Sequence, residues 1–421
     1  MSVIVCDAIM GSGKSQSAIR YMNEHPEKHF IYIAPYLTEA ERIADACPVL
    51  SFKLPVRRED ESGRWSKLND IKDLIKNGRN IASTHMAFRM YTPEMLEDIR
   101  RVGYTVIIDE AVQVLSPLDE SPADILTLIR AGYLRMDDNG RLSVIEEYTG
   151  AKFRELFSVI KRNNLVRISG DTADVKNEQL FIWELPIDLF TAFDEAYILT
   201  YMFTGCDLKR YFEMHGVEYK YVNVARDDVG YYFSETERHV PEYCHRLGEM
   251  IHILEHQKMN KIGDHRTALS STWYDKASKT DKEKIKSSIY NYFRNIAKAP
   301  SDKLMWTVFD AHKERLKGKG YTKGFVICSY KASNEYRDKT YLAYCCNMFL
   351  NPFKKRYLGG DSHGADDAFA LSSMVQWIWR SAIRDGKEIY IYVPSLRMRT
   401  LLKEWIERVE SGKHGWSEEA L

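Results

Sequence analysis

Gly11-Ser12-Gly13-Lys14-Ser15 follows closely on the apolar run Val3-Ile4-Val5-Cys6 and leads into helical spacing at Ala18, Ile19, Tyr21 and Met22. Strand, glycine-rich turn, Lys-Ser, helix is the order that a phosphate-binding loop requires. Gly11 and Gly13 let the backbone curl, so that successive N–H groups from Met10 through Ser12 to Ser15 point inward at phosphate oxygens. The positive end of the following helix adds to the attraction. Lys14 can reach β/γ-phosphates and Ser15 can ligate magnesium, so ATP and Mg2+ are the expected ligands. The first glycine of the usual pattern is replaced by Ala8.

The second set of chemical groups is Asp109-Glu110, at the end of the buried-strand pattern Tyr104-Thr105-Val106-Ile107-Ile108. In a P-loop nucleoside triphosphatase the first acid holds the metal, here Asp109 with Ser15. The second, Glu110, orients and deprotonates the attacking water. A third set lies near the C-terminus. On a helix over 370–386, Gln376, Arg380 and Arg384 fall four residues apart and share a face. Gln376 would read a γ-phosphate, while Arg380 and Arg384 would supply charge as negative density spreads over the phosphoryl oxygens.

Such residues need a frame. A second buried strand, Phe30 to Ala34, ends at Pro35, and Thr38 with Glu41 has capping-box spacing for a helix. The strand ending Ser83-Thr84-His85 puts small hydroxyls at a sheet edge, where Thr84 can donate to phosphates. Further strands are expected at Leu165–Ser169 and Tyr197–Thr200, separated by helical or irregular segments, with Tyr219–Asn223 opening a new unit. Helical spacing runs through about 243–256. A strand follows at Gly324–Cys328, then a helix from Lys339 to Phe349, a strand at Glu388–Val393 and a last helix over Arg399–Val409. The expectation is α/β with mainly parallel sheets in two domains, 1–210 and 211–421, the second carrying a basic, largely helical insertion at about 240–320.

Residues 258–323 hold 16 Lys/Arg against 7 Asp/Glu, with Trp273, Tyr274, Tyr290, Tyr292, Phe293 and Trp306 interspersed. Cations with interleaved rings suit single-stranded nucleic acid; a solvated helical insertion with core aromatics is the other reading. Globally, 60 Lys+Arg balance 60 Asp+Glu, so only local patches can speak for nucleic acid. The 7 cysteines are scattered and form no C-x-x-C pair, which suggests a reducing compartment with neither a disulfide framework nor a structural zinc site. No apolar stretch approaches about 18 residues. The expected setting is the cytoplasm, the host's if the chain is viral, without a membrane partner.

With these three sets in this order, the chain resembles superfamily 2 helicases, and more narrowly the DEAD-like helicases of bacteriophages and mobile elements. GSGKS, APYLTEAERI, LTYMFTG, SNEYRDKTYLAY and QWIWRSAIRDGKEIYIYVPSLRMRTLL carry the likeness. It implies two RecA-like domains, ATP hydrolysis in the cleft between them and movement on nucleic acid, with single-stranded DNA the first expectation and RNA the second. It further implies nucleic-acid contacts at Pro35 (motif Ia), Thr200 (motif III), and Ser333, Asn334 and Arg337 (motif V). The chain departs from the family's Q-x-x-G-R-x-x-R motif: Trp379 replaces the glycine and the second arginine comes one residue late. No Q-motif precedes Val3. Two other readings stand beside the helicase. One is a packaging terminase, whose nuclease carboxylates would be Asp361, Asp366 and Asp367. The other is an ATP-dependent switch that unwinds nothing.

Overall fold

A computed structural model describes residues 1–59, 65–118, 120–162, 164–168, 180–328, 335–358 and 364–413. The first sheet has seven strands, in the order Tyr231–Ser234, Tyr219–Arg226, Ser2–Asp7, Glu195–Thr200, Tyr104–Asp109, His29–Ala34 and Ile81–Thr84. All run parallel except Tyr231–Ser234, which returns antiparallel on its neighbour. Runs such as Val3-Ile4-Val5-Cys6 and Val106-Ile107-Ile108 are buried throughout, because helices cover both faces of a parallel sheet. The register sets Asp7 beside Thr200, and Leu199 beside Asp109. Three chemistry-bearing strand ends therefore finish level on one edge, where open α/β sheets bind ligands.

Tyr219 does not open a new unit. Its strand pairs with the P-loop strand, so the first sheet continues to Ser234 and the second begins at Ile251. Nor is the segment between Asp109 and Glu195 merely helical or irregular. It builds a five-stranded antiparallel sheet from Leu115–Pro117, Leu134–Met136, Arg141–Val144, Asn164–Ile168 and Leu180–Glu184. Helix Arg154–Arg162 packs Leu156, Phe157 and Ile160 into a small core of its own with Ile125, Leu128 and Leu142. The strand expected near Leu165 belongs to this sheet.

The second sheet is parallel, ordered Ile251–Ile253, Ile389–Tyr392, Tyr341–Tyr344 and Leu304–Thr307. Three expectations change here. Residues 242–250 are two short helical turns feeding a strand. Gly324–Cys328 contributes a single bridge, Phe325 to Trp306. Lys339–Phe349 is no helix: Tyr341-Leu342-Ala343-Tyr344 is a strand, paired on both sides. The basic helical segment connects the two edge strands of this sheet, with helices Ser271–Lys276 and Lys279–Asn291 at its centre. Tyr274, Tyr292, Phe293 and Trp306 are fully or almost fully buried, Trp273 packs against their cluster, and Tyr290 is exposed. The core-aromatic reading therefore holds for most of the rings.

The whole is mixed α/β with mainly parallel sheets, consistent with two RecA-like domains. Ile9, Tyr201 and Met202 of the first unit share one apolar cluster with Trp377, Trp379 and Trp405 of the second. Trp405 Nε1 donates to the Tyr201 hydroxyl at 2.7 Å. At Gly205 a Cβ would lie 2.7 Å from the Ala368 backbone, so a bare backbone is what lets helix Ala365–Ile378 close on the first unit. Among the described residues, no helix is long and apolar enough to cross a membrane.

Candidate nucleotide site

The level strand ends open into a cavity of about 900 Å³, bordered by both units. Met10, Gly11, Gly13, Lys14 and Ser15 line it from the P-loop; Asp109 and Glu110 line it from the next chemical strand but one; Gln376, Arg380 and Arg384 line it from the second unit. Ser12 is buried beneath the loop and does not reach the cavity.

Gly11 and Gly13 adopt φ of 82° and 98°, the left-handed region that a side chain would strain. Lys14 Nζ donates to the carbonyl oxygens of Ala8 at 2.5 Å and Ile9 at 3.2 Å. Burial lowers the Lys14 pKa, with nearby acids including Asp109 and Asp7 pulling the other way. Ser15 Oγ donates to Asp109 Oδ2 at 3.2 Å, and the Tyr32 hydroxyl donates to the same oxygen at 2.9 Å. Desolvation raises the Asp109 pKa, opposed first by the Tyr32 bond and then by Lys14. Hydroxyl and carboxylate oxygens are the hard donors that magnesium takes, so Ser15 and Asp109 fit that ion.

Successive strand residues face opposite sides of a sheet, so Asp109 and Glu110 could not both face one cavity along a regular strand. The chain breaks the strand instead. Glu110 has φ 63°, and its N–H donates to Leu199 O at 2.9 Å. A non-glycine residue there costs about 1–3 kcal/mol, held by the surrounding fold. His85 Nε2 contacts Asp109 O at 2.8 Å, a supporting bond for the strand end.

Gln376, Arg380 and Arg384 reach the cavity, though not along one helix. The helix stops at Ile378. Arg380 N and Ser381 N turn back to the carbonyls of Trp377 and Ile378, Ser381 Oγ caps Ile378 O at 2.6 Å, and Ala382 N is taken by Lys339 O at 2.9 Å. The reason is packing. Trp377, Ile378, Trp379, Ala382 and Ile383 are all buried, and no single helix face could bury them together. Arg384 then sits on the short 3-10 turn Ala382–Asp385. Trp379, where the helicase motif carries glycine, packs edge-on against Trp405 and donates to the Tyr243 hydroxyl at 3.4 Å.

Of the expected nucleic-acid contacts, Pro35, Thr200 and Arg337 line this same cavity. Arg337 Nε donates to Asp385 at 3.0 Å, and Thr200 is buried. Thr84 caps the turn His85–Phe88 by accepting from Ala87 N. Ser333 and Asn334 lie outside the described residues, as does Asp361. Asp366 is paired with Lys355 and Asp367 with Arg397, and among the described residues no group of three or more His, Cys, Asp or Glu could hold a metal. Missing from the sequence reading are Tyr32, a tyrosine inside an apolar strand, and Tyr231, whose ring lies against Gly13.

Residues 245–406 match the YonV C-terminal Rossmann-like domain. The SPbeta prophage-derived protein YonV of Bacillus subtilis (strain 168) is 38% identical over 418 residues, spanning 96% of this chain and 98% of that protein. Among solved structures, Xpd4 of S. tokodaii aligns with a TM-score of 0.42 at 12% identity, covering 96% of this chain and 93% of that one. The DUF1998 helicase MrfA bound to DNA and AMPPNP aligns at 0.32 and 9% identity, covering 97% and 48%.

Proposed function

We propose that this chain, which belongs to the YonV family, hydrolyses ATP and uses the cycle to move on or unwind nucleic acid, single-stranded DNA first and RNA second, in the life of a phage or prophage. The single observation that carries the hydrolytic part is one cavity bordered by Lys14 and Ser15, by Asp109 and Glu110, and by Arg380 and Arg384 from the other unit. The order of the motifs, that of superfamily 2 helicases, supports the nucleic-acid part.

In this reading the backbone at Met10, Gly11, Gly13 and Ser15 and the Lys14 side chain hold the polyphosphate. Ser15 and Asp109 would hold magnesium, which when bound draws charge from the phosphate oxygens. Glu110 takes the proton of the attacking water. Arg380 and Arg384 neutralise the transferring phosphoryl group only while the two units are closed, and this couples turnover to domain movement.

Polymer-stimulated turnover tests it. Phosphate release would be followed alone, and with single-stranded DNA, double-stranded DNA and RNA. Stimulation by one polymer names the track, and turnover indifferent to all of them sinks the motor. One observation favours a second reading, an ATP-dependent switch with a protein partner: the rings of the basic segment are mostly core, and of the six only Tyr290 is exposed among its cations.

A further inference from the structure

The edge hairpin of the first sheet, far from the P-loop in sequence, is fixed to the P-loop helix. Arg226 and Tyr231 face each other directly across its two strands. The turn between them is closed by Asp227, whose carboxylate accepts from Val229 N and Gly230 N at 2.9 Å each, with Gly230 at φ 141°. Arg20, on helix Lys14–Glu24, grips the same carboxylate with two bonds of 2.7 and 2.9 Å. Its guanidinium also lies over the Tyr232 ring, 5.2 Å from the centroid. Both bonds come from Arg20 Nη1, while its Nε holds Glu24 on the same helix at 2.8 Å. These contacts tie the hairpin to the helix that opens at Lys14.

This anchoring puts the Tyr231 ring against the P-loop. A Cβ on Gly13 would stand 2.4 Å from Tyr231 Cγ and Cδ1, so glycine there leaves room for the ring as well as for the turn. Tyr231 lines the cavity with Gly13 and Gln16, beside the loop that would take the phosphates. The other rings on the cavity wall are Tyr201, Phe369 and Trp379; Tyr201 and Trp379 are tied into the contact between the units. Arg226 holds its guanidinium carbon 5.4 Å from the Tyr231 centroid, and this arginine is exposed.

Resting on the nucleotide reading above, we infer that this hairpin is the nucleobase wall of the cavity: the base stacks on Tyr231 and Arg226 swings out to cover it. A ring and a planar cation both bind the face of a base, the former by stacking and the latter by cation–π attraction.

Calorimetry on the full chain with magnesium separates base from phosphate, using ADP and pyrophosphate as probes. Tyr231→Ala should lose about 10-fold or more in ADP affinity, the scale of one base–aromatic stack, while pyrophosphate affinity stays at the wild-type value. Tyr231→Phe should restore ADP binding. Unchanged ADP binding in Tyr231→Ala overturns the inference, and equal weakening of both ligands does so too, because the ring would then merely prop the loop. A wild-type chain that binds neither ligand overturns the nucleotide reading itself, and the inference with it.

Discussion

The Tyr32 hydroxyl donates to Asp109 Oδ2 at 2.9 Å, across two neighbouring parallel strands. It shares that oxygen with Ser15, so a core tyrosine and a P-loop serine jointly aim the carboxylate that would hold magnesium. Tyr32→Phe removes this donor and keeps the ring. The magnesium concentration for half-maximal hydrolysis should rise by about 10-fold or more, the usual cost of losing a supporting bond behind a metal ligand. An unchanged magnesium requirement would make Tyr32 a packing residue only.

Arg380 is buried on the cavity wall, whereas Arg384 sits on the turn that follows the helix. Arg380→Ala should leave ATP binding largely intact and slow hydrolysis by about 10³-fold or more, as for other arginine fingers. Single-turnover hydrolysis and nucleotide binding measured on one preparation check both halves. Normal turnover in this variant would remove Arg380 from the role and leave Arg384 to be tested alone.

Asp7 links the P-loop strand to the start of the turn Phe203–Gly205. Its carboxylate accepts from Met202 N at 2.7 Å and Phe203 N at 3.0 Å, and Met202 holds φ 57° beside it. Asp7→Ala strands two backbone donors in a closed space, at a cost of about 1–3 kcal/mol each at most. Urea unfolding should show the loss, with Asp7→Asn intermediate because it keeps one acceptor. Coincident midpoints for Asp7→Ala and wild type would contradict this.

His312 gives the fold an acid-sensitive point away from the cavity. It stacks on Tyr274, with centroids 5.2 Å apart, and burial holds its pKa below the ordinary 6.5 although Asp275 stands 3.3 Å away. The unfolded chain takes the proton near 6.5, and the folded chain only at lower pH. This contribution to stability is therefore whole above about 6.5 and is lost as pH falls towards the lowered value. Melting temperature should drop between pH 7.5 and 5.5, and His312→Asn should flatten that drop. Parallel pH profiles for the two proteins would exclude His312 as the source.

Val3-Ile4-Val5-Cys6 and Val106-Ile107-Ile108 were readable because a strand buried on both faces is a continuous apolar run, and each ends in residues with obvious chemistry. Tyr341-Leu342-Ala343-Tyr344 misled for the same physical reason. A short apolar run has no period long enough to separate a strand from a buried helix. The end of the helix at Ile378 was hidden as well, since it depends on the burial of Trp379 against Trp405 and on the capture of Ala382 by Lys339. Tyr231 was beyond local reading altogether. The strand before it, from Tyr219, reads as the start of a new unit, and only pairing of Tyr219–Arg226 with Ser2–Asp7 brings Tyr231 to Gly13.

Phosphate release from ATP by the wild-type chain, beside Glu110→Gln, tests the central claim most directly. Steady release is expected from the wild type and a loss of about 10²-fold or more in the variant, the scale of a removed general base, with ATP still bound. No release by the wild type, or equal release by both, would contradict it.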